Sequence, residues 1–270
     1  MKKSLLYLFV FVAVQFFAAW SVYVAWLLVD GTPTEELLLM FKGEAAIPQS
    51  APMLITASTV CSAITLLLFV RLRWAVLSPT YLRGRHWSVF AWCAVAAIGS
   101  LIPSVWLQEQ MPDLPDMMKE TFKAIIENDY GYFALCLLAP FVEEVVFRGA
   151  ILRALSDSIK SRWTCIFISA AIFAIVHANP AQMPHALLIG ILLGWLYCRT
   201  GSILPGVAVH WVNNTAAYVF ERLFPQMSDT TLTEFFGGDE SRVLLSVAFS
   251  LLILLPAIYQ LYLRTGNEKR

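Results

Sequence analysis

Charge is scarce in this chain. Only 14% of its 270 residues are Asp, Glu, Lys or Arg, against about 25% in an ordinary globular protein. Nineteen basic and nineteen acidic side chains cancel to a net charge of zero, so the electrostatic footprint that a nucleic acid or other polyanion needs is missing. The five cysteines, Cys61, Cys93, Cys136, Cys165 and Cys198, form no CxxC pair and all fall in apolar stretches. That excludes a disulfide framework and a zinc knuckle, and leaves small buried hydrophobes as the expectation. There is no GxSxG and no HExxH, so neither a nucleophile elbow nor a helical zinc-protease motif is present. Ser169 and Cys165 have no paired base either. Internal repeats and low-complexity tracts are also missing.

Apolar residues fill the space that charge leaves. They make up 59% of the chain, above the roughly 45–50% of a soluble domain. In water this excess would expose large apolar patches, so lipid is the expected solvent. Eight apolar segments can be marked, at 4–29, 52–70, 87–106, 131–152, 163–179, 185–199, 203–220 and 243–263. At about 20 residues per crossing they imply an all-α, polytopic membrane protein with an eight-transmembrane-helix bundle. The whole chain, 1–270, reads as a single integral membrane domain. The first run is too long for a signal h-region of about 7–15 residues and reads as a retained helix. Trp26, Trp74, Trp87, Trp106 and Trp163 sit near segment ends, where indole favours the headgroup layer.

Lys and Arg alternate by loop. The 71–86 loop holds Arg71, Arg73, Arg83 and Arg85 and no acid, and bases also gather at Lys2 and Lys3, at Arg153, Lys160 and Arg162, at Arg199, and at Arg264, Lys269 and Arg270. The intervening loops are poor in bases. The positive-inside rule then places both termini in the cytoplasm. In 116–128, Met118, Phe122, Ile125 and Ile126 recur at helical spacing, which predicts a short amphipathic surface helix capped by Asp116.

The charges inside the apolar segments are concentrated in FVEEVVFRGAIL, as Glu143, Glu144 and Arg148. Each ionisable group at the bilayer centre costs about 2.5–3.5 kcal/mol on insertion scales. Glu144 and Arg148 are spaced i, i+4 and can form a structural ion pair. Glu143 points about 100° away and has no local cation. Pro140 lacks a backbone N–H and disturbs the helix one turn earlier. The freed backbone groups are tolerable at depth only against protein or a watered cavity. Glu143 is therefore expected to be functional, facing either protein or a watered, intramembrane polar cavity.

Matching polar groups lie on two further helices. Phe173 and His177 are spaced i, i+4 in FAIVH, and His210 and Asn214 share a face in HWVNN, where Asn213 also lies within reach at i+3. His86 and His185 fall at segment starts, where solvated or capping roles are expected. Gly190 and Gly194 form a GxxxG that favours close helix packing. Pro205-Gly206 loosens the start of the seventh segment. Counted along their helices, Glu143, His210 and His177 sit at different depths, so they meet only if a helix tilts or starts deeper.

The ordered set EExxxR, FxxxH and HxxxN on three apolar segments resembles the CAAX-protease and bacteriocin-processing (CPBP, or Abi) family of intramembrane proteases. The resemblance covers about 131–220, the expected catalytic core; the remaining helices match only in number. It implies a conical, water-filled cavity and an endopeptidase acting on membrane-associated or lipidated peptides. Carried over residue by residue, it implies that Glu143 activates a water while Glu144 and Arg148 hold the site together. His177, His210 and Asn214 position the water and stabilise the oxyanion, and Phe173 packs beneath His177. Spacing favours Asn214 over Asn213 as the site amide. Members of the family are often labelled metalloproteases, so two versions stand. One is a glutamate-activated water without an obligatory metal; the other is a zinc ion held by Glu143, His177 and His210 with a fourth position open to water. The expected partners are a peptide or protein substrate at the membrane and the lipid bilayer, with no nucleic acid. From another functional class, the same Glu and His residues suit a non-proteolytic membrane scaffold or immunity protein, or a proton-coupled transporter.

Overall fold

The computed structural model describes residues 1–48, 50–77, 81, 86–227 and 230–266, and its secondary structure is helical throughout. Arg83, Arg85, Lys269 and Arg270, which enter the orientation argument, lie outside the described residues. The first helix is α1 (Lys2–Val29), followed by α2 (Thr34–Phe41), α3 (Ala51–Arg71), α4 (Trp87–Glu109) and α5 (Lys119–Glu127). A central rod over 133–156, here α6, precedes α7 (Arg162–Val176), α8 (Met183–Thr200), α9 (Leu204–Leu223), the single turn α10 (Leu232–Phe235) and α11 (Glu240–Thr265).

Every apolar segment of the sequence has become a helix. Five of these helices, α1, α3, α4, α8 with its preceding turn, and α11, are long and apolar enough to cross a membrane. The protein is therefore an all-α polytopic membrane protein, but length and apolarity support fewer than eight crossings among the described residues. The shortfall has a physical cause in each case. The α6 rod contains Glu143, Glu144, Arg148 and Arg153, α7 has only 15 residues, and α9 carries the polar HWVNN stretch.

The winding of α6 is unusual. Phe133–Leu138 is π-helical, Ala139–Glu144 α-helical, Val145–Leu152 π-helical again and Arg153–Ser156 α-helical. Pro140 has no N–H to give the carbonyl four residues back. The wide π winding just before it is how the helix absorbs the expected disturbance. From Glu144 to Leu152 every residue is buried, because α1, α3, α7 and α8 pack around this stretch. Phe147 seats its ring between Phe11 and Phe173, at centroid distances of 5.4 and 5.1 Å. By contrast α1 leaves Phe9, Phe16 and Phe17 exposed, as a lipid-facing helix does.

The 116–128 expectation needs correcting at its start. The helix begins at Lys119 with Met118 in the cap position and no side-chain cap. Asp116 instead accepts hydrogen bonds from Met118 N at 3.1 Å and from Asn179 Nδ2 at 2.8 Å. It ties the incoming loop to the turn after α7 rather than capping a helix. Four of the cysteines are buried and Cys198 is partly so, and no disulfide joins them among the described residues.

The GxxxG glycines serve close packing as their spacing implies. A Cβ on Gly190 would lie 3.2 Å from the Ala170 Cα, and one on Gly194 would lie 3.2 Å from Ile166 Cγ2. Backbone cannot yield as a flexible side chain can, so Gly190→Val is expected to destabilise the α7–α8 pair by about 1–3 kcal/mol. Thermal unfolding in detergent checks this: the midpoint should fall for Gly190→Val, and an unchanged midpoint would contradict the packing described.

Candidate active site

The site is built around one buried ion pair. Arg148 Nη1 donates to Glu144 Oε1 at 2.7 Å, with both side chains fully buried. The i, i+4 contact survives although it runs from the α-helical to the π-helical part of α6. Arg148 also reaches two neighbouring helices. Nη2 donates to the Gly190 carbonyl of α8 at 3.1 Å, and the guanidinium lies 4.5 Å from the centroid of the Phe173 ring of α7. A cation over an aromatic face is attracted by the ring quadrupole. One arginine thus fixes three helices at a single point.

The carboxylate it holds is shared with a fourth helix. His210 of α9 places Nδ1 3.3 Å from Glu144 Oε1. An ionised carboxylate only accepts, so Nδ1 carries a proton, and in the neutral ring Nε2 is then the acceptor nitrogen. Nε2 faces Glu143 Oε2 at 3.7 Å. The close approach of α9 depends on Gly206, where a Cβ would lie 2.7 Å from Glu144 Oε2. Pro205-Gly206 therefore makes room for a carboxylate at the start of α9. The two adjacent glutamates end in different surroundings: Glu144 is sealed, whereas the Glu143 side chain is 26% exposed.

Phe173 forms the floor. Its ring meets His177 at 4.8 Å and His210 at 5.7 Å, nearly perpendicular to each. Glu143, Glu144, Arg148, Phe173 and His210 are thus gathered into one cluster, and the depth mismatch counted along the helices disappears. His177 is the C-cap of α7, and its Nδ1 donates to the Phe173 carbonyl at 2.7 Å. Ala178 follows with a φ of 51°, and the fully buried Asn179 accepts from Met117 N at 3.0 Å. This sharp turn fixes His177 at the rim of the floor.

Asn214 is less directly placed. Its Nδ2 donates to the Leu135 carbonyl in the first π stretch at 3.1 Å, and its Oδ1 accepts from Asn213 Nδ2 at 3.3 Å. It braces α9 against α6. Tyr132 reinforces the same seam, accepting from Trp211 Nε1 at 3.0 Å and pairing with Thr215 Oγ1 at 3.2 Å.

Two polar residues near the cluster escaped the sequence reading. His185 sits in the first turn of α8, half-buried, beside Asn213 and in electrostatic reach of His177 and His210 rather than in solvent. Its Nδ1 pairs with Ser104 Oγ of α4 at 2.7 Å. The available signal was that both are polar groups inside apolar helices, which need partners there.

Among the described residues no three His, Cys, Asp or Glu side chains form a group able to hold a metal ion. Glu143 and His210 face each other, and His177, whose Nδ1 donates to a carbonyl and whose Nε2 is left to act as an acceptor, does not join them in such a group. The ligand set Glu143, His177 and His210 is not assembled, and no step below runs through a metal.

Residues 130–216 match the family model described as type II CAAX prenyl endopeptidase, Rce1-like. That segment is similar to the CAAX-protease family. The match begins just before α6 and ends in α9, so it encloses all three motifs and the cluster they form. The membrane-embedded CAAX protease MroQ of Staphylococcus aureus (strain USA300) is 27% identical over 99 residues, covering 35% of this chain and 40% of MroQ. YdiL of Bacillus subtilis (strain 168), a membrane peptidase by name, is 29% identical over 106 residues, covering 38% of this chain and 43% of YdiL. The matched stretch thus spans about two fifths of each curated relative. No solved structure matches the chain.

Within this matched segment, breaking the ion pair from one side leaves an uncompensated buried charge, at a cost of about 3–5 kcal/mol. Arg148→Met is therefore expected to lower the unfolding midpoint in detergent severely. Adding Glu144→Gln, which removes the orphaned charge, should restore much of the loss. A double variant as unstable as Arg148→Met alone would show that the arginine acts through packing rather than charge.

Proposed function

We propose that the protein is an intramembrane endopeptidase in which Glu143 activates a water for hydrolysis of a peptide bond. The observation that carries this reading is the facing pair of Glu143 Oε2 and His210 Nε2 at 3.7 Å. That separation is too long for a direct hydrogen bond and short enough for one water lying to the side of the pair to reach both atoms. The CAAX-protease core and the peptidase names of its two relatives support the reaction class. The partner in this reading is a peptide or protein at the membrane, with both termini of the enzyme in the cytoplasm on the alternation of Lys and Arg between loops.

Glu143 is the accessible carboxylate of the two and takes the water proton as general base. The hydroxide adds to the scissile carbonyl carbon and gives a tetrahedral oxyanion. Collapse of that intermediate breaks the C–N bond, and the proton held by Glu143 passes to the leaving amine. No atom is left over: one water is consumed, and an acid and an amine are released. Glu144, sealed between Arg148 and His210, keeps the Nδ1 proton of His210 in place and so turns Nε2 toward the water. His177 and Asn214 complete the polar surroundings of the oxyanion, His177 from the rim of the Phe173 floor and Asn214 by holding α9 against α6. Nothing in these steps requires a prenyl group on the substrate.

The test compares new protein termini, by mass spectrometry, in membranes containing equal amounts of the native chain or Glu143→Gln. Termini should appear with the native chain and be absent with the variant, whose amide cannot take a proton. The same termini with Glu143→Gln would rule out Glu143 as the base. No termini with either, together with a phenotype that survives Glu143→Gln, would leave a membrane scaffold as the function.

A further inference from the structure

The hydrolytic cluster does not end at His210. Beside it lies a second polar line that crosses the bundle from α4 to α6. Ser104 Oγ of α4 meets His185 Nδ1 of α8 at 2.7 Å. His185 lies next to Asn213 of α9. Asn213 Nδ2 donates to Asn214 Oδ1 at 3.3 Å, and Asn214 Nδ2 donates to the Leu135 carbonyl of α6 at 3.1 Å. Ser104 and Asn213 are both buried. Four polar side chains on three apolar helices, ending on the helix that bears Glu143, exceed what packing alone would select.

One atom in this line is incomplete. Asn213 Oδ1 is buried and makes no hydrogen bond of ordinary geometry. An unpaired buried acceptor costs free energy unless a donor reaches it. His185 is the neighbour able to supply one. With the Ser104 hydroxyl donating to Nδ1, the ring carries its proton on Nε2, and that N–H is the donor Asn213 Oδ1 lacks. Hydrogen bonds in catalytic sites are often long before substrate binds and tighten in the complex.

We propose that His185 is a further positioning residue for the hydrolysis, acting through Asn213. Its Nε2–H closes onto Asn213 Oδ1, and that contact locks the Asn213–Asn214 pair and with it the face of α9 that presents His210 to Glu143. His185 touches neither the water nor the scissile bond. Asn213, which spacing ranked behind Asn214, is the link between the two lines. The proposal rests on the protease reading above.

The experiment uses the purified full-length protein in proteoliposomes and a quenched-fluorescent peptide spanning the cleavage site located by the terminal comparison. His185→Leu should lower kcat by about 10–100-fold, the size of effect seen when a supporting partner of a catalytic group is removed, while KM stays within about threefold. His185→Gln, whose amide can still donate to Asn213 Oδ1, should recover most of kcat. The double variant His185→Leu/Asn213→Ala should be no slower than the slower of its two single variants, because both remove the same link. Losses that multiply in the double variant, or a change confined to KM, would overturn the proposal. If His185→Leu does not fold, His185→Gln decides: kcat near native supports the link, and a fall matching Asn213→Ala refutes it. A native chain that cleaves nothing defeats the protease reading, whereas a native chain and His185→Leu that cleave equally fast defeat this one alone.

Discussion

The contact on which the rest of the structure depends is the buried pair of Glu144 and Arg148. Neither group is accessible to water, so each requires the other and then more. The arginine finds the Gly190 carbonyl and the Phe173 face, and the carboxylate finds His210. These second partners lie on α8, α7 and α9. Satisfying one ion pair therefore sets the mutual position of four helices, which apolar packing in lipid does only weakly because lipid tails are as apolar as the side chains. The glycines follow from the same demand. Gly190 lets α8 come close to α7, and Gly206 lets α9 come close to Glu144.

A second consequence is the division of labour between neighbouring glutamates. Glu143 and Glu144 are chemically identical and adjacent, yet one is enclosed between an arginine and an imidazole while the other keeps a quarter of its side chain open. The enclosed group is structural and directional: it decides which nitrogen of His210 holds the proton. The open group is the one of the two left accessible from outside the cluster. Environment assigns the roles that the side-chain type leaves undecided.

Much of this was legible in the sequence, for identifiable reasons. A charge in an apolar segment is expensive, so Glu143, Glu144 and Arg148 stood out, and the i, i+4 spacing named the ion pair before any coordinates did. The apolar runs gave the helices, though Asp116 proved to be a tether to Asn179 rather than a cap. Spacing says what can reach, not what else competes for the same group. Three features were not legible. The π winding of α6 leaves no mark in residue periodicity beyond Pro140. The meeting of Glu143 with His210 is a long-range contact between α6 and α9, and depth counts along straight helices put the two at different levels. His185 was placed at a helix start, as observed, but given a solvated or capping role because its partners, Ser104 and Asn213, lie far from it in the chain.

The alternation of wide and normal turns along α6 fixes more than its shape. A π turn contains an extra residue relative to α winding, and one residue corresponds to about 100° of rotation about a helix axis. The stretch Phe133–Leu138 precedes Glu143, and the stretch Val145–Leu152 follows Glu144. The short α-helical piece that carries both glutamates is thus set, like a dial, by the winding on either side of it. Loss of a single residue between Leu135 and Pro140, in the first wide stretch, would conserve every motif, letter for letter, and still turn the acid pair relative to the Leu135 carbonyl. In this helix the spacing between motifs carries functional information even where the residues that fill it do not.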